Sequence, residues 1–302
     1  MASIESSQLV DLFKRLSTAI AAQTDITPEQ IRSVMEHMGD ATAEPGRVDF
    51  IEVEISGIPA IWCIPKHCAH DRVLLCAHGG GYISGSMYSH RKMYAHFAKK
   101  IGCRALIPNY GLAPENHHPG PVNDLSHVYQ WLLNQGIKSE HIAIAGDSCG
   151  GSLAITILLL LRELGLPLPA AAMPLSPWID LEHTAKSFES NKTKDALVSR
   201  DMAENMAALF LGENGDRRTP LANPLFADLK KLPAVYIQVG AFEVLLDDSH
   251  LLAQALRKAG VDVTLEVFPE MQHIFHLLAG TAPEANDAID KYAKWVIPRL
   301  GL

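Results

Sequence analysis

Ser148 carries the sharpest chemical signal in the sequence. It stands in Gly146-Asp147-Ser148-Cys149-Gly150-Gly151, between the short, apolar, β-prone stretch His141–Ala145 and the apolar, helix-length stretch Ser152–Leu164. A G-x-S-x-G segment that joins a strand to a helix holds its serine in a tight turn, and glycine on both sides lets strand and helix approach closely. The hydroxyl then also sits at a helix N-terminus, whose partial positive charge favours a developing anion. That is the setting of a nucleophile. The plainer alternative is an ordinary strand-to-helix turn whose glycines only serve packing. About 70 residues earlier, His78-Gly79-Gly80-Gly81-Tyr82 follows the apolar stretch Arg72–Ala77. Three glycines after a strand leave several backbone N–H groups free to converge on one oxygen, as stabilisation of an oxyanion requires. A merely flexible loop is the alternative, and the serine turn downstream argues against it.

A nucleophilic serine needs a base, and the base needs an acid to orient it. Three carboxylates, Glu243, Asp247 and Asp248, follow the strand-like Ala234–Val239, and His273 follows the alternating stretch Val261–Phe268. Glu243 comes first, where the chain leaves the strand. Asp247 and Asp248 stand where the helix Ser249–Ala259 is expected to begin, and there an acid suits the helix dipole. The chain has 14 histidines. His276 is the nearest rival of His273 as base, and on a short helical turn it would point elsewhere, into the core. His117 and His118 lie in a proline loop and are expected to be solvated. The Cys149 thiol, beside Ser148 at a helix N-terminus, is expected to have a lowered pKa.

The elements that must position these residues alternate. Val48–Ile64 reads as a hairpin broken at Ser56-Gly57, and Arg72–Ala77, Cys103–Pro108, His141–Ala145, Ala170–Pro174, Ala234–Val239 and Val261–Phe268 read as further strands. Between and after them, Tyr88–Ile101, Pro119–Gln135, Ser152–Leu164, Ser249–Ala259 and Glu284–Leu300 read as helices, with Asp124 expected to suit the dipole of the second. This rhythm predicts an α/β fold: a mostly parallel sheet flanked by helices, with active residues gathered at the carboxyl ends of its strands. Residues 1–45 read as two helices; Leu9, Leu12, Phe13 and Leu16 make one apolar stripe, and Thr27-Pro28-Glu29-Gln30 is a start signal. Residues 180–232 break the rhythm and include a helix, Ser199–Leu211, with Met202, Met206, Leu209 and Phe210 on one side. An insertion of this kind on a sheet enzyme covers the site, and its methionines and Phe210 could line an acyl pocket. A stripe that packs on the N-terminal helices is the alternative.

The chain has 302 residues, 48% hydrophobic and 20% charged, with a formal net charge of -8. No basic cluster suggests a nucleic-acid partner. The first fifteen residues carry Glu5 and Asp11 and lack the apolar core of a secretory signal, and the longest apolar run, Leu153–Leu161, is too short for a membrane span. Five cysteines match neither a zinc pattern nor a disulfide framework, which favours a reducing, cytoplasmic setting.

The ordered set His78-Gly79-Gly80-Gly81, Gly146-Asp147-Ser148-Cys149-Gly150-Gly151, Glu243 and His273 resembles the hormone-sensitive-lipase-like branch of the α/β-hydrolases. Tyr110-Gly111-Leu112-Ala113-Pro114-Glu115 is similar to that branch's Y-R-L-A-P-E loop, and the segments from Val239 to Asp248 and from Met271 to Phe275 also look like family segments. The likeness covers nearly the whole chain from about residue 45. Three positions depart from it. Cys149 replaces an alanine, of which only the backbone N–H is needed. Gly111 replaces an arginine and removes a charge near the loop. Glu243 stands where many members have aspartate.

The resemblance implies a single α/β-hydrolase domain over 1–302, with a helical cap formed by 1–45 and 180–232. It implies a carboxylic ester hydrolase acting on short- to medium-chain esters, with a lactone hydrolase or amidase on the same triad as the alternative. Ser148 is the expected nucleophile, His273 the base and Glu243 the acid. Gly80, Gly81 and Cys149 are the expected oxyanion donors, and Tyr82, Met206 and Phe210 the substrate-binding side chains. His78 would organise the loop. No metal or cofactor is required. The expected partner is a small-molecule ester; a homodimer stays open. Plant hormone receptors resembling this branch keep the scaffold and lose the histidine, so the presence of His273 favours an enzyme over a binding protein.

Overall fold

The computed structural model describes residues 2–22 and 26–302. Met1 and residues 23–25, which the expected cap span 1–45 takes in, lie outside the described residues. Eight strands among the described residues form one sheet: β1 (Val48–Ile55), β2 (Ile58–Pro65), β3 (Ala69–Ala77), β4 (Cys103–Pro108), β5 (Ile142–Asp147), β6 (Ala171–Leu175), β7 (Ala234–Gly240) and β8 (Val263–Phe268). Their order is β1-β2-β4-β3-β5-β6-β7-β8. β2 runs antiparallel to both its neighbours, and the other pairings are parallel. Both faces are covered, so the central strands are buried on both sides: every residue of β5 is buried, Asp147 at its end included. The period of two still sorts the side chains. Val73, Leu75 and Ala77 of β3 join one core, and Leu74 and Cys76 join the other.

The helices are α1 (Ile4–Ala21), α2 (Pro28–Met35), α3 (Met87–Ile101), α4 (Gly120–Asn134), α5 (Cys149–Glu163), the one-turn α6 (Ser187–Ser190), α7 (Arg200–Leu211), α8 (Leu246–Lys258) and α9 (Pro283–Val296). Helices α4, α5 and α8 pack on one face of the sheet, and α1, α3 and α9 on the other. Leu9, Leu12, Phe13 and Leu16 are buried as their spacing predicts, and Thr27 caps α2 in a reciprocal capping box with Gln30.

Among the departures from the sequence reading, two are helix starts and one is the role of Asp124. α5 starts at Cys149 and not at Ser152, so Gly150 and Gly151 are helical. Helix propensity argues against that, but a Cβ at Gly150 would lie 2.0 Å from the Ala77 carbonyl oxygen and one at Gly151 2.8 Å from Pro177. α8 starts at Leu246, which puts Asp247 and Asp248 in its first turn. Asp124 does not serve the α4 dipole; it accepts the Gly111 N–H at 2.9 Å and so anchors the loop after β4.

The chain leaves β3 to form β4 on one side and returns to form β5 on the other. The carboxyl ends of β3 and β5 therefore flank the point where the winding reverses, the usual place for a site in such sheets. Among the described residues no helix is long and apolar enough to cross a membrane.

Candidate active site

β5 delivers Ser148 to this edge. The serine adopts φ 55, ψ -121 as the residue capping α5. That backbone is strained for a side chain with a Cβ. It is held by three hydrogen bonds: Ser148 N–H to Leu175 O, and the N–H groups of Gly151 and Trp178 to Ser148 O, each 2.9 Å. Gly146 and Gly150 make the turn sterically feasible. A Cβ at Gly146 would stand 2.0 Å from the Gly150 carbonyl oxygen, and Gly150 itself lies against the end of β3.

β3 delivers the glycine loop to the same place. Gly80 and Gly81 have φ values of +116 and +64. The Gly80 carbonyl accepts the N–H groups of Ile83 and Ser84, which curls the loop into a turn. His78, expected to organise the loop, is buried at its base. Its ring stacks on Tyr110 at 4.2 Å, and Tyr110 Oη donates to its carbonyl at 2.6 Å. Burial lowers the His78 pKa to about 3, so it stays neutral.

His273 and Glu243 arrive from the ends of β8 and β7. His273 Nδ1 lies 2.8 Å from Glu243 Oε2. A carboxylate only accepts, so Nδ1 carries the proton and Nε2 is left as the basic nitrogen. The other carboxylate oxygen, Oε1, accepts from Ser176 Oγ at 2.6 Å and from Gly240 N–H at 2.5 Å. Burial disfavours the charged imidazolium, but the hydrogen bond and charge of Glu243 outweigh it and hold the His273 pKa above the ordinary value. Burial pushes Glu243 upward from the usual carboxylate range, against its three donors.

Ser148 and His273 line one cavity together with Gly80 and Gly81. It holds about 480 Å³ of empty space, part of it open to solvent. The remaining lining is apolar: Met35, Met38, Trp178, Leu197, Val198, Met202, Ala203, Met206, Leu245 and Ile274. Residues from 1–45 and from 180–232 thus both wall the cavity.

Several expectations need correction. Tyr82 and Phe210 do not line the cavity. They stack on each other at 3.6 Å, and each is 1% exposed; of the three expected pocket side chains only Met206 reaches it. Leu209 faces solvent, one helical step away from Phe210. The Cys149 thiol is not activated. It is fully buried, and desolvation raises its pKa to about 12; its sulfur accepts the Tyr82 N–H at 3.2 Å. Asp247 and Asp248 do more than face a helix dipole. Asp247 accepts the Ser187 N–H at 3.0 Å, and the buried Asp248 accepts those of Ile179 and Asp180 at 2.7 and 2.9 Å. His118 is half-buried, with its ring edge-on to Phe210, whereas His117 is exposed as expected, its Nδ1 bonded to the Leu209 carbonyl. His276 points into the core as expected and bonds Gln238.

The sequence reading missed a group of residues that hold these side chains. Ser176 bridges Glu243 and the Ile274 N–H, 3.2 Å away. Asn191 Nδ2 donates to the carbonyls of Ala241 and Glu243, and Asp195 accepts the Val244 N–H. Asp147 lies buried beneath Ser148, bonded to Tyr94 Oη at 2.7 Å and His90 Nε2 at 3.2 Å. Ser176 had a readable signal: it is the first polar residue after the strand that lies between those bearing Ser148 and Glu243.

A family described as alpha/beta hydrolase fold matches residues 74–277. The chain is 38% identical over 268 residues to an acetyl-hydrolase of Streptomyces hygroscopicus, with 88% of each chain covered. It is 30% identical to an esterase of Acinetobacter venetianus, covering 91% of this chain and 90% of the other. Among solved structures, an esterase from the bacterial hormone-sensitive lipase family superposes with a TM-score of 0.94 at 38% identity over the whole of both chains. The esterase EstE5, from a crystal soaked with p-nitrophenyl butyrate, gives 0.92 at 34% identity, again over both whole chains.

Proposed function

The chain belongs to the hormone-sensitive-lipase-like branch of the α/β-hydrolases and is a carboxylic ester hydrolase, and from that premise we propose that Ser148, His273 and Glu243 are its nucleophile, base and orienting acid. The observation that carries this reading is the shared cavity. Ser148 and an imidazole already bonded to a buried carboxylate open onto the same apolar space.

Ser148 Oγ attacks the ester carbonyl carbon while His273 Nε2 takes its proton. The carbonyl π pair moves onto oxygen, and the backbone N–H groups of Gly80, Gly81 and Cys149 receive that oxyanion. Collapse expels the alcohol, which takes the proton from His273 and leaves an acyl-Ser148. Water then gives its proton to His273 and attacks the acyl carbon. The second collapse releases the carboxylic acid and returns the proton to Ser148. Glu243 keeps the imidazole in the productive tautomer and stabilises the imidazolium that forms twice.

The walls supply the substrate class. No carboxylate, ammonium or guanidinium lines the cavity among the described residues, so the substrates are neutral esters with short- to medium-chain apolar acyl groups. Segments 1–45 and 180–232 act as the two halves of a cap that closes this space. Four methionines from them, Met35, Met38, Met202 and Met206, give the walls an adaptable surface.

The test is a fluorophosphonate, which should label the native enzyme on Ser148 alone by peptide mapping. Ser148→Ala should fold normally and lose turnover of a chromogenic acetate ester by roughly 10⁶, as nucleophile removal does elsewhere. A label on any other residue, or an active Ser148→Ala, would sink the assignment.

A further inference from the structure

Arg32 lies on α2, outside every element of the mechanism, yet four of its five N–H donors are spent on the catalytic side of the molecule. Its Nε donates to the Ile83 carbonyl at 2.9 Å, and Nη2 to the Ala113 carbonyl at 2.9 Å. Nη1 and Nη2 also hold Glu115 as a bidentate pair, at 3.1 and 2.6 Å. Ile83 belongs to the turn that shapes the glycine loop, since its N–H bonds the Gly80 carbonyl. Ala113 is tied to the same turn from the other direction, through its N–H to the Tyr82 carbonyl at 2.9 Å. One guanidinium thus closes a circuit through residues 80–83 and 113–115.

The loop Tyr110–Glu115 contains no basic residue of its own. Gly111 stands where the resembling loop has arginine, and a Cβ there would meet the Asn116 side chain at 2.6 Å. The Glu115 carboxylate therefore takes its cation from the N-terminal segment. Arg32 is a quarter exposed and Glu115 half exposed, so the ion pair alone is weak. The two carbonyl bonds are the specific part. A planar, forked donor set can make all four bonds, two to one carboxylate and one to each of two carbonyls; an ammonium has three donors on one atom and cannot. The same short segment carries Met35 and Met38 into the cavity wall.

We infer that Arg32 is a positioning residue for ester hydrolysis, which fixes the Gly80-Gly81 loop in its donating geometry and makes that geometry depend on docking of the N-terminal segment. This rests on the reading of that loop as the oxyanion donor. Oxyanion donors act by being pre-aimed, and a loop that wanders by a fraction of an ångström loses rate in the transition state while ground-state binding changes little.

The experiment measures kcat per active site, with sites counted by fluorophosphonate titration, so that misfolded protein does not count. Arg32→Ala should lose about 10- to 100-fold in kcat on an acetate ester, less than the roughly 10²–10³ of losing a donor outright. KM should move less than about threefold. Arg32→Lys, which keeps the charge and loses the fork, should fall between Arg32→Ala and native. Glu115→Gln, which keeps both carbonyl bonds, should stay within about fivefold. A purely structural role would lower Tm and the titrated fraction while leaving kcat per site unchanged, and that result overturns the inference. If Arg32→Ala does not fold, native kcat per site in Arg32→Lys overturns it equally. Native protein that is not labelled on Ser148 would instead strike the nucleophile assignment, and the inference would fall with it.

Discussion

Two buried histidine–carboxylate pairs lie close to Ser148, and only one is placed to do chemistry. His273 and Glu243 meet at 2.8 Å, and His90 and Asp147 at 3.2 Å. All four side chains are at most 2% exposed, and in both pairs the carboxylate raises the histidine's affinity for a proton against the opposing effect of burial. What differs is the second ring nitrogen. His90 spends it on Ser89 Oγ at 3.0 Å, and Asp147 spends its second oxygen on Tyr94. His273 has one hydrogen-bonded partner among the described residues, and it lines the cavity. A closed pair holds a turn in place; an open pair can pass a proton. The carboxylate–imidazole contact is therefore weaker evidence for catalysis than the free valence beside it.

Exchanging the acid for its amide in each pair tests this most severely. In Glu243→Gln, the oxygen held by Ser176 and Gly240 can stay, but the new NH₂ meets Nδ1 and favours the wrong tautomer. We expect kcat to fall on the order of 10⁴, as for the corresponding change in a serine protease, with Tm nearly unchanged. In Asp147→Asn the balance should reverse. Breaking a buried pair costs roughly 3–5 kcal/mol, a Tm loss of about 5–15 °C at this chain length, while kcat stays within about 10²-fold. If Asp147→Asn is the dead variant and Glu243→Gln remains active, the roles are inverted.

A pH profile sharpens the same contrast with a smaller signal. The base must be neutral, so kcat/KM is lost as pH falls through the His273 pKa. Because that pKa is raised, the acid limb should lie above the roughly 6.5 of an unperturbed imidazole. The residual activity of Glu243→Gln should show the limb at lower pH. A limb that does not move would separate Glu243 from the base.

Asp248 supplies the smallest effect and a control. It is as deeply buried as Glu243 and Asp147 but bonds two backbone N–H groups and no imidazole. Burial, opposed by those N–H groups and reinforced by Asp180 and Asp247, raises its pKa from 3.8 to about 7. The folded state then binds a proton that the unfolded chain has released. Its stabilising contribution is complete below pH 3.8 and is lost as pH rises towards 7. Asp248→Asn keeps an acceptor for both N–H groups, so Tm measured between pH 4 and 7 should decline less with rising pH than in the native protein. An unchanged slope would show that the carboxyl does not titrate in this range.

The parts legible in the sequence share a cause. Ser148 sits on a turn whose shape is a local matter of strand, glycines and helix, and the glycine loop is likewise written in consecutive residues. The alternation of strands and helices exposed the sheet, and Thr27 announced the start of α2 through a four-residue capping box. Of the supports of Glu243, Ser176 left a local signal, and Asn191 and Asp195 left none. In the bonds that hold the Glu243 segment, Ser176, Asn191 and Asp195 reach across 67, 52 and 49 residues. The Cys149 and Tyr82 expectations failed for a related reason. A helix N-terminus promises a reactive thiol and a glycine loop an exposed aromatic only while both face solvent, and the fold buries both.

The sequence by itself determined the chemistry on offer and the order of its parts: a serine at a strained turn, glycines before it, a carboxylate and then a histidine after it. Local sterics and the polarity period are enough for that, because they act between neighbours along the chain. Glu243, the carboxylate expected from its place in the chain, does meet the histidine, but the set of side chains that hold it there was decided only by the tertiary structure. So was the choice of a cavity lined by Met206 and not by Phe210, and the binding of Arg32 to a loop more than fifty residues away. Those outcomes depend on strand order and on which side chains lose their water when the layers close, and both are properties of the packed whole.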